Sequence, residues 1–105
     1  MGATLDIANQ KNAYTISDRA TYLASQKSHD LAVLLAKDPV LLNIYHVIEV
    51  NPARHKINEA GAKAFADFVV GPQSQEIIRN FGVAKFGQPL FFPDAGKSES
   101  SLASN

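Results

Sequence analysis

The sequence has no cysteine, no excess of either charge and no long apolar run, and each lack closes off a class of function. Without cysteine there is no disulfide, no thiolate metal site and no cysteine nucleophile, although the compartment stays open because an exported protein can also lack the residue. Ten Lys and Arg balance ten Asp and Glu, so with neutral histidines the formal charge is zero. No basic field is present to hold a phosphate backbone or an anionic membrane surface, and nucleic acid is not expected as a partner. No stretch approaches the roughly 18 consecutive apolar residues that cross a bilayer. Met1 is followed by Gly2, Ala3, Thr4 and Leu5 with neither a basic region nor a long apolar core, so no signal peptide is expected in this chain. What is present, 105 residues with 46% hydrophobic and 19% charged, fits one globular domain or less.

Periodicity orders the chain as helix, strand, helix, strand, strand, helix, helix, which points to an α/β layer. Leu5, Ala8 and Asn12 recur at helical spacing over residues 3–12. Residues 13–16 alternate and are β-rich, and they run into Ser17 and Asp18, both good N-cap residues for a helix over 19–27. The continuous apolar run 31–36 suits a buried strand, and residues 47–50 suit another, with a break at Lys37, Asp38 and Pro39. From Asn58 the set Ala60, Gly61, Ala64, Phe65, Phe68 and Val69 marks a helix that stops at Gly71. Pro72 is suited to open the next one, over 72–80, and Gly82 to cap it in the left-handed conformation. Residues 83–94, with Phe86, Leu90, Phe91 and Phe92, read as an extended segment packed on the rest. The serine-rich residues 96–105 carry one large apolar side chain, Leu102, and are expected to be mobile.

The stretch from Tyr14 to Tyr22 places hydroxyls and the Arg19 guanidinium where a helix begins. Unpaired N–H groups there attract anions, and Arg adds a planar set of donors matched to oxyanions. The alternative is a plain cap by Ser17 or Asp18 with Arg19 paired to an outside carboxylate. Gly2 and Thr4 carry the same two readings at the first helix start: close approach of backbone to a ligand, or only a turn. His29, His46 and His55 have no regular separation and read as surface residues, so no metal site is expected. No Gly-x-Ser-x-Gly elbow occurs, which disfavours a hydrolase. The aromatic set Phe65, Phe68, Phe81, Phe86, Phe91 and Phe92 reads as core, and Asp67 and Glu76 read as solvated helix-face charges.

An ordered set of strings then carries a resemblance. Met1-Gly2-Ala3-Thr4-Leu5, Tyr14-Thr15-Ile16-Ser17-Asp18-Arg19-Ala20-Thr21-Tyr22-Leu23, Asp38-Pro39-Val40-Leu41-Leu42-Asn43, Val50-Asn51-Pro52 and Gly87-Gln88-Pro89-Leu90-Phe91-Phe92-Pro93-Asp94 follow one another in the sequence. Together they resemble the C-terminal part of the substrate-binding protein of a tungstate ABC transporter, over about residues 1–95. The ending from Gly87 to Asp94 is the most distinctive piece. Such proteins are similar to other type II periplasmic binding proteins, whose two α/β lobes close over a dehydrated oxyanion and deliver it to a membrane permease.

The resemblance implies a partial type II fold. Residues 1–38 would be the end of the second, oxyanion-binding lobe, 39–95 the crossover and the C-terminal helices returning to the first lobe, and 96–105 a flexible tail. It implies tungstate or molybdate as ligand, no other cofactor, an ABC permease as partner and a periplasmic or extracellular setting. Carried over by motif, the anion-binding residues are Arg19, Ser17, Thr4 and Gly2, while Asp18 caps the helix or orients Arg19. Further donors in the family come from segments outside this chain. An apolar face left without its sheet neighbours predicts self-association. The reading is therefore a binding component rather than an enzyme, with a non-binding structural or self-association module as the alternative.

Overall fold

Two helical pairs, one at each end of the chain, carry the ordered structure, and most of their boundaries follow from local chemistry. The computed structural model describes residues 1–102. Helix α1 spans Gly2–Lys11 and ends at Asn12, whose left-handed backbone (φ 50°) lets the Ala13 N–H reach the Ala8 carbonyl at 2.9 Å. That bond closes the last turn on itself. Helix α2, Arg19–Ser25, starts on Asp18 and tightens into a 3-10 turn at Gln26–Ser28, where Ser25 Oγ donates to the Thr21 carbonyl. The α1 and α2 helices pack on each other, and Leu5 and Ala8 of α1 and Leu23 of α2 are buried. Two polar ties fix the pair to the chain that follows. Asn9 Oδ1 accepts from the Asp30 N–H at 3.0 Å, and the Tyr22 hydroxyl donates to the Leu31 carbonyl at 3.0 Å.

The second pair is α3, Glu59–Val70, and α4, Pro72–Asn80, packed against each other. Asn58 caps α3 by accepting from the Gly61 N–H at 3.0 Å. Gly71 is both the last cap of α3 and the first cap of α4, and Pro72 takes the first position of α4, where its missing N–H is no loss. Gln75 spans the elbow: its amide donates to the Val69 carbonyl at 3.0 Å and its carbonyl accepts from the Ala95 N–H at 3.2 Å. Beyond α4 the left-handed Gly82 and Gly87 bracket a single turn, α5, Val83–Phe86. Another turn, α6, covers Glu99–Leu102. The expected mobile tail runs on through residues 103–105, which lie outside the described residues.

The helices stand close to where periodicity places them, but the strands do not form. Among the described residues there is no β-strand, and the expected α/β layer is replaced by helices joined by extended chain. Residues 13–16, 31–36 and 47–50 find no neighbour to complete a ladder. β-rich sequence stabilises a strand only through cross-strand pairs and burial. Unpaired, these segments stay in water, with Tyr14 89% and Ile48 83% exposed.

Two other expectations are corrected. The aromatic set is not a core: Phe65, Phe68, Phe81, Phe91 and Phe92 are all exposed, because among the described residues the contacts of Phe81 and Phe91 with each other, of Phe91 with Tyr45 and of Phe92 with Arg19 leave them largely uncovered. His29 is not on the surface. It is 7% exposed, its ring 5.2 Å from that of Tyr22 and its Nε2 3.4 Å from Ser25 Oγ, while its Nδ1 has no partner among the described residues. By contrast Asp67 and Glu76 are solvated as expected, each in an exposed ion pair along its own helix, with Lys63 and Arg79 respectively. The radius of gyration is 17.3 Å, against about 13 Å for a compact chain of this length. The accessible surface is 8361 Å², against roughly 5,700 Å² for a compact monomer of this mass.

Candidate functional site

Arg19 is the residue around which a site can be built, and two distant parts of the sequence set its position. Its backbone is fixed by the start of α2. There the Asp18 carboxylate accepts from the Thr21 N–H at 2.7 Å and from the Thr21 hydroxyl at 2.7 Å. The backbone N–H first, and the hydroxyl second, hold the Asp18 carboxyl below its ordinary value. Of the two roles expected for Asp18, capping is the one observed. Its carboxylate closes the helix start and forms no ion pair with the neighbouring guanidinium.

The guanidinium itself is held by the Gly87-to-Phe92 segment. Nε donates to the Pro89 carbonyl at 3.4 Å, Nη2 donates closely to Gln88 Oε1, and Cζ lies 5.5 Å from the centre of the Phe92 ring. That segment is anchored in turn. The Leu90 N–H donates to the Phe81 carbonyl at 3.0 Å, the Leu90 side chain is buried against Gly82, and the Phe91 ring stands about 6 Å from those of Tyr45 and Phe81. Arg19 is therefore gripped by neutral groups alone. Among the described residues no carboxylate pairs with it.

The remaining site residues fall into two places. Ser17 stands beside Arg19, half-buried, its hydroxyl donating to the Asp18 carbonyl at 3.1 Å. Gly2 and Thr4 stand at the start of α1, where no side chain caps the helix and a Cβ added to Gly2 would point into open space. The Thr4 N–H is engaged with the Met1 carbonyl at 3.0 Å. Helix packing brings α1 and α2 together, but no hydrogen bond joins Gly2 or Thr4 to Ser17 or Arg19 among the described residues. Sequence reasoning missed Gln88, Pro89 and Phe92 as partners of Arg19. Their string stood out as a motif, yet nothing in it announced a contact across 69 or more residues.

Residues 1–73, which include all four expected anion-binding residues, match the family model described as a PBP superfamily domain. The chain belongs to the PBP superfamily. Within it, this chain is 43% identical over 98 residues to the tungstate-binding protein TupA of Peptoclostridium acidaminophilum, covering 92% of the chain and 34% of that relative. It is 45% identical over 101 residues to a Haloferax volcanii protein named for anion binding in an ABC transporter, covering 90% of the chain and 29% of that relative. A third relative, the tungstate-binding protein TupA of Campylobacter jejuni, is 32% identical over 100 residues, covering 90% of the chain and 36% of that relative. The PBP chain thus spans about a third of the length of the curated relatives it matches. No solved structure matches it significantly.

Proposed function

We propose that this chain is part of the solute-binding component of an ABC importer and contributes to holding a tungstate- or molybdate-type oxyanion. The observation that carries the reading is Arg19: held by the Gln88 and Pro89 oxygens, with no carboxylate paired to it among the described residues, in a chain whose relatives are named for binding tungstate or an anion. A dianion removed from water needs converging N–H and O–H donors and compensating positive charge. In this reading Arg19 supplies the charge, Ser17 a hydroxyl beside it, and Thr4 and Gly2 further donors from the start of α1, a helix packed on α2. Asp18 stays with its helix. The wider reading follows the resemblance: a partial type II periplasmic-binding-protein fold, residues 1–38 on the oxyanion side and 39–95 crossing back, a permease as partner and a periplasmic or extracellular setting. It is a binding reading and not an enzymatic one, in line with relatives named for binding tungstate or an anion.

Calorimetric titration of the chain with tungstate, with sulfate as control and Arg19→Ala in parallel, tests it. Tungstate heat that disappears in the variant supports the reading. Equal binding by both proteins sinks it.

A second reading has its own support. The surface exceeds that of a compact monomer by some 2,600 Å², more than the roughly 800 Å² per partner of a standard interface, and apolar residues including Leu34 and Ile48 are exposed on it. That favours self-association through the unpaired segments. Sedimentation at several concentrations decides it, and a monomer at every concentration removes it.

A further inference from the structure

We infer that Gln88 is a positioning residue for Arg19: it holds the guanidinium by a neutral acceptor so that the full charge and one complete edge stay available to an oxyanion. This rests on the anion-binding reading above and deepens it.

The argument starts from the shape of the group. A guanidinium has five N–H bonds in a rigid plane. The Pro89 carbonyl and Gln88 Oε1 take the edge formed by Nε and Nη2. The opposite end, with Nη1 and the second N–H of Nη2, is the parallel fork that meets two oxygens of an oxyanion at once. The Arg19 Cζ lies over the Phe92 ring, 5.5 Å from its centre, which adds a cation–π contact. Two acceptors and a ring thus restrain a side chain that is otherwise among the most mobile.

Chemical identity at position 88 matters as much as geometry. A carboxylate there would grip Arg19 more firmly, but it would cancel the charge and repel a dianion arriving at the fork. An amide oxygen accepts the same hydrogen bond and leaves the charge uncancelled. The backbone carbonyl of Pro89 is neutral for the same purpose. Nor does the grip depend on a loose tail, since Leu90 and Phe91 bind the segment to the end of α4. The most distinctive motif of the chain, from Gly87 to Phe92, thereby acquires a role, because it carries the holder for an arginine that lies 69 residues earlier.

The test compares Gln88→Ala and Gln88→Glu with Arg19→Ala and the unmodified chain, by tungstate titration and by the NMR signal of the Arg19 Nη2 protons, the group that Gln88 holds. Gln88→Ala is expected to weaken tungstate about three- to tenfold and to speed exchange of the Nη2 protons. Gln88→Glu is expected to keep the Nη2 exchange slow while weakening tungstate more than Gln88→Ala does, a split that a merely structural role does not produce. If Arg19→Ala abolishes binding but both Gln88 variants bind like the unmodified chain, this inference is overturned and the anion-binding reading stands. If the unmodified chain takes up no tungstate, the anion-binding reading falls, and the NMR signal decides the holding role by itself: unchanged Nη2 exchange in Gln88→Ala overturns it, and faster exchange supports it.

Discussion

A Cβ placed on Gly82 would stand 2.5 Å from Leu90 Cγ, so the buried leucine rests directly against a residue that has no side chain. Gly82 also has φ of +90°, a backbone region that other residues enter only with strain. Both facts serve one arrangement, the return of the chain after α5 toward the end of α4. Gly82→Ala is therefore expected to destabilise the chain by about 1–3 kcal/mol. Denaturant unfolding checks this, and an unchanged midpoint contradicts it.

Asp18 gives a pH dependence whose sign follows from its hydrogen bonds. The folded carboxyl is held below its ordinary value by the Thr21 N–H and hydroxyl. Its contribution is therefore fully present above the unfolded value and is lost as pH falls through the folded one. Asp18→Ala is expected to cost about 0.5–2 kcal/mol near neutral pH. Asp18→Asn keeps an acceptor but removes the titration, so its thermal midpoint should fall less than that of the unmodified chain between about pH 5 and pH 2. Parallel curves would show that Asp18 does not carry this dependence.

Gln75 bridges the elbow between α3 and α4 and also holds the Ala95 N–H. Truncation to Ala removes both bonds from a half-buried place, with an expected loss of about 1–2 kcal/mol. The companion measurement is circular dichroism, where helix content should stay close to that of the unmodified chain. A large loss of helix would mean that the elbow depends on Gln75 for folding itself.

Among the described residues, 44–50 have neither a strand partner nor any backbone hydrogen bond of their own. Their amides are expected to exchange with solvent far faster than those in the middle of α3, as hydrogen–deuterium exchange at low protein concentration would reveal. Protection that grows with concentration would place these residues in an interface between copies. Protection independent of concentration would contradict the unpaired state.

What the sequence conveyed, and what it withheld, divides along a physical line. Helices were legible because their signals are local: Asn58 and Asp18 cap within three residues of what they cap, and Gly71-Pro72 marks a stop and a start in two letters. Strands were misread because residues 31–36 and 47–50 have the composition of a sheet without the neighbours that complete one. The aromatic residues were misplaced for a related reason, since Phe65 and Phe68 recur at helical spacing whether or not anything covers them. His29 was misplaced because its burial comes from the Tyr22 ring and the 3-10 turn, a tertiary matter. At the candidate site Arg19 and the cap beside it were visible, while the grip of Gln88 and Pro89 needed a contact between the two ends of the chain.

The buried apolar side chains among the described residues are few: Leu5, Ala8, Leu23, Ala66 and Leu90. Little hydrocarbon leaves water when this chain orders, so its heat-capacity step on unfolding falls short of the roughly 1.2–1.5 kcal/mol/K of a compact domain of 100 residues. A shallow stability curve and a broad, low calorimetric peak follow. Whatever covers the bare segments adds its apolar contact to that step, so the growth of the peak as a ligand or second chain is added measures how much surface has been shut away from water.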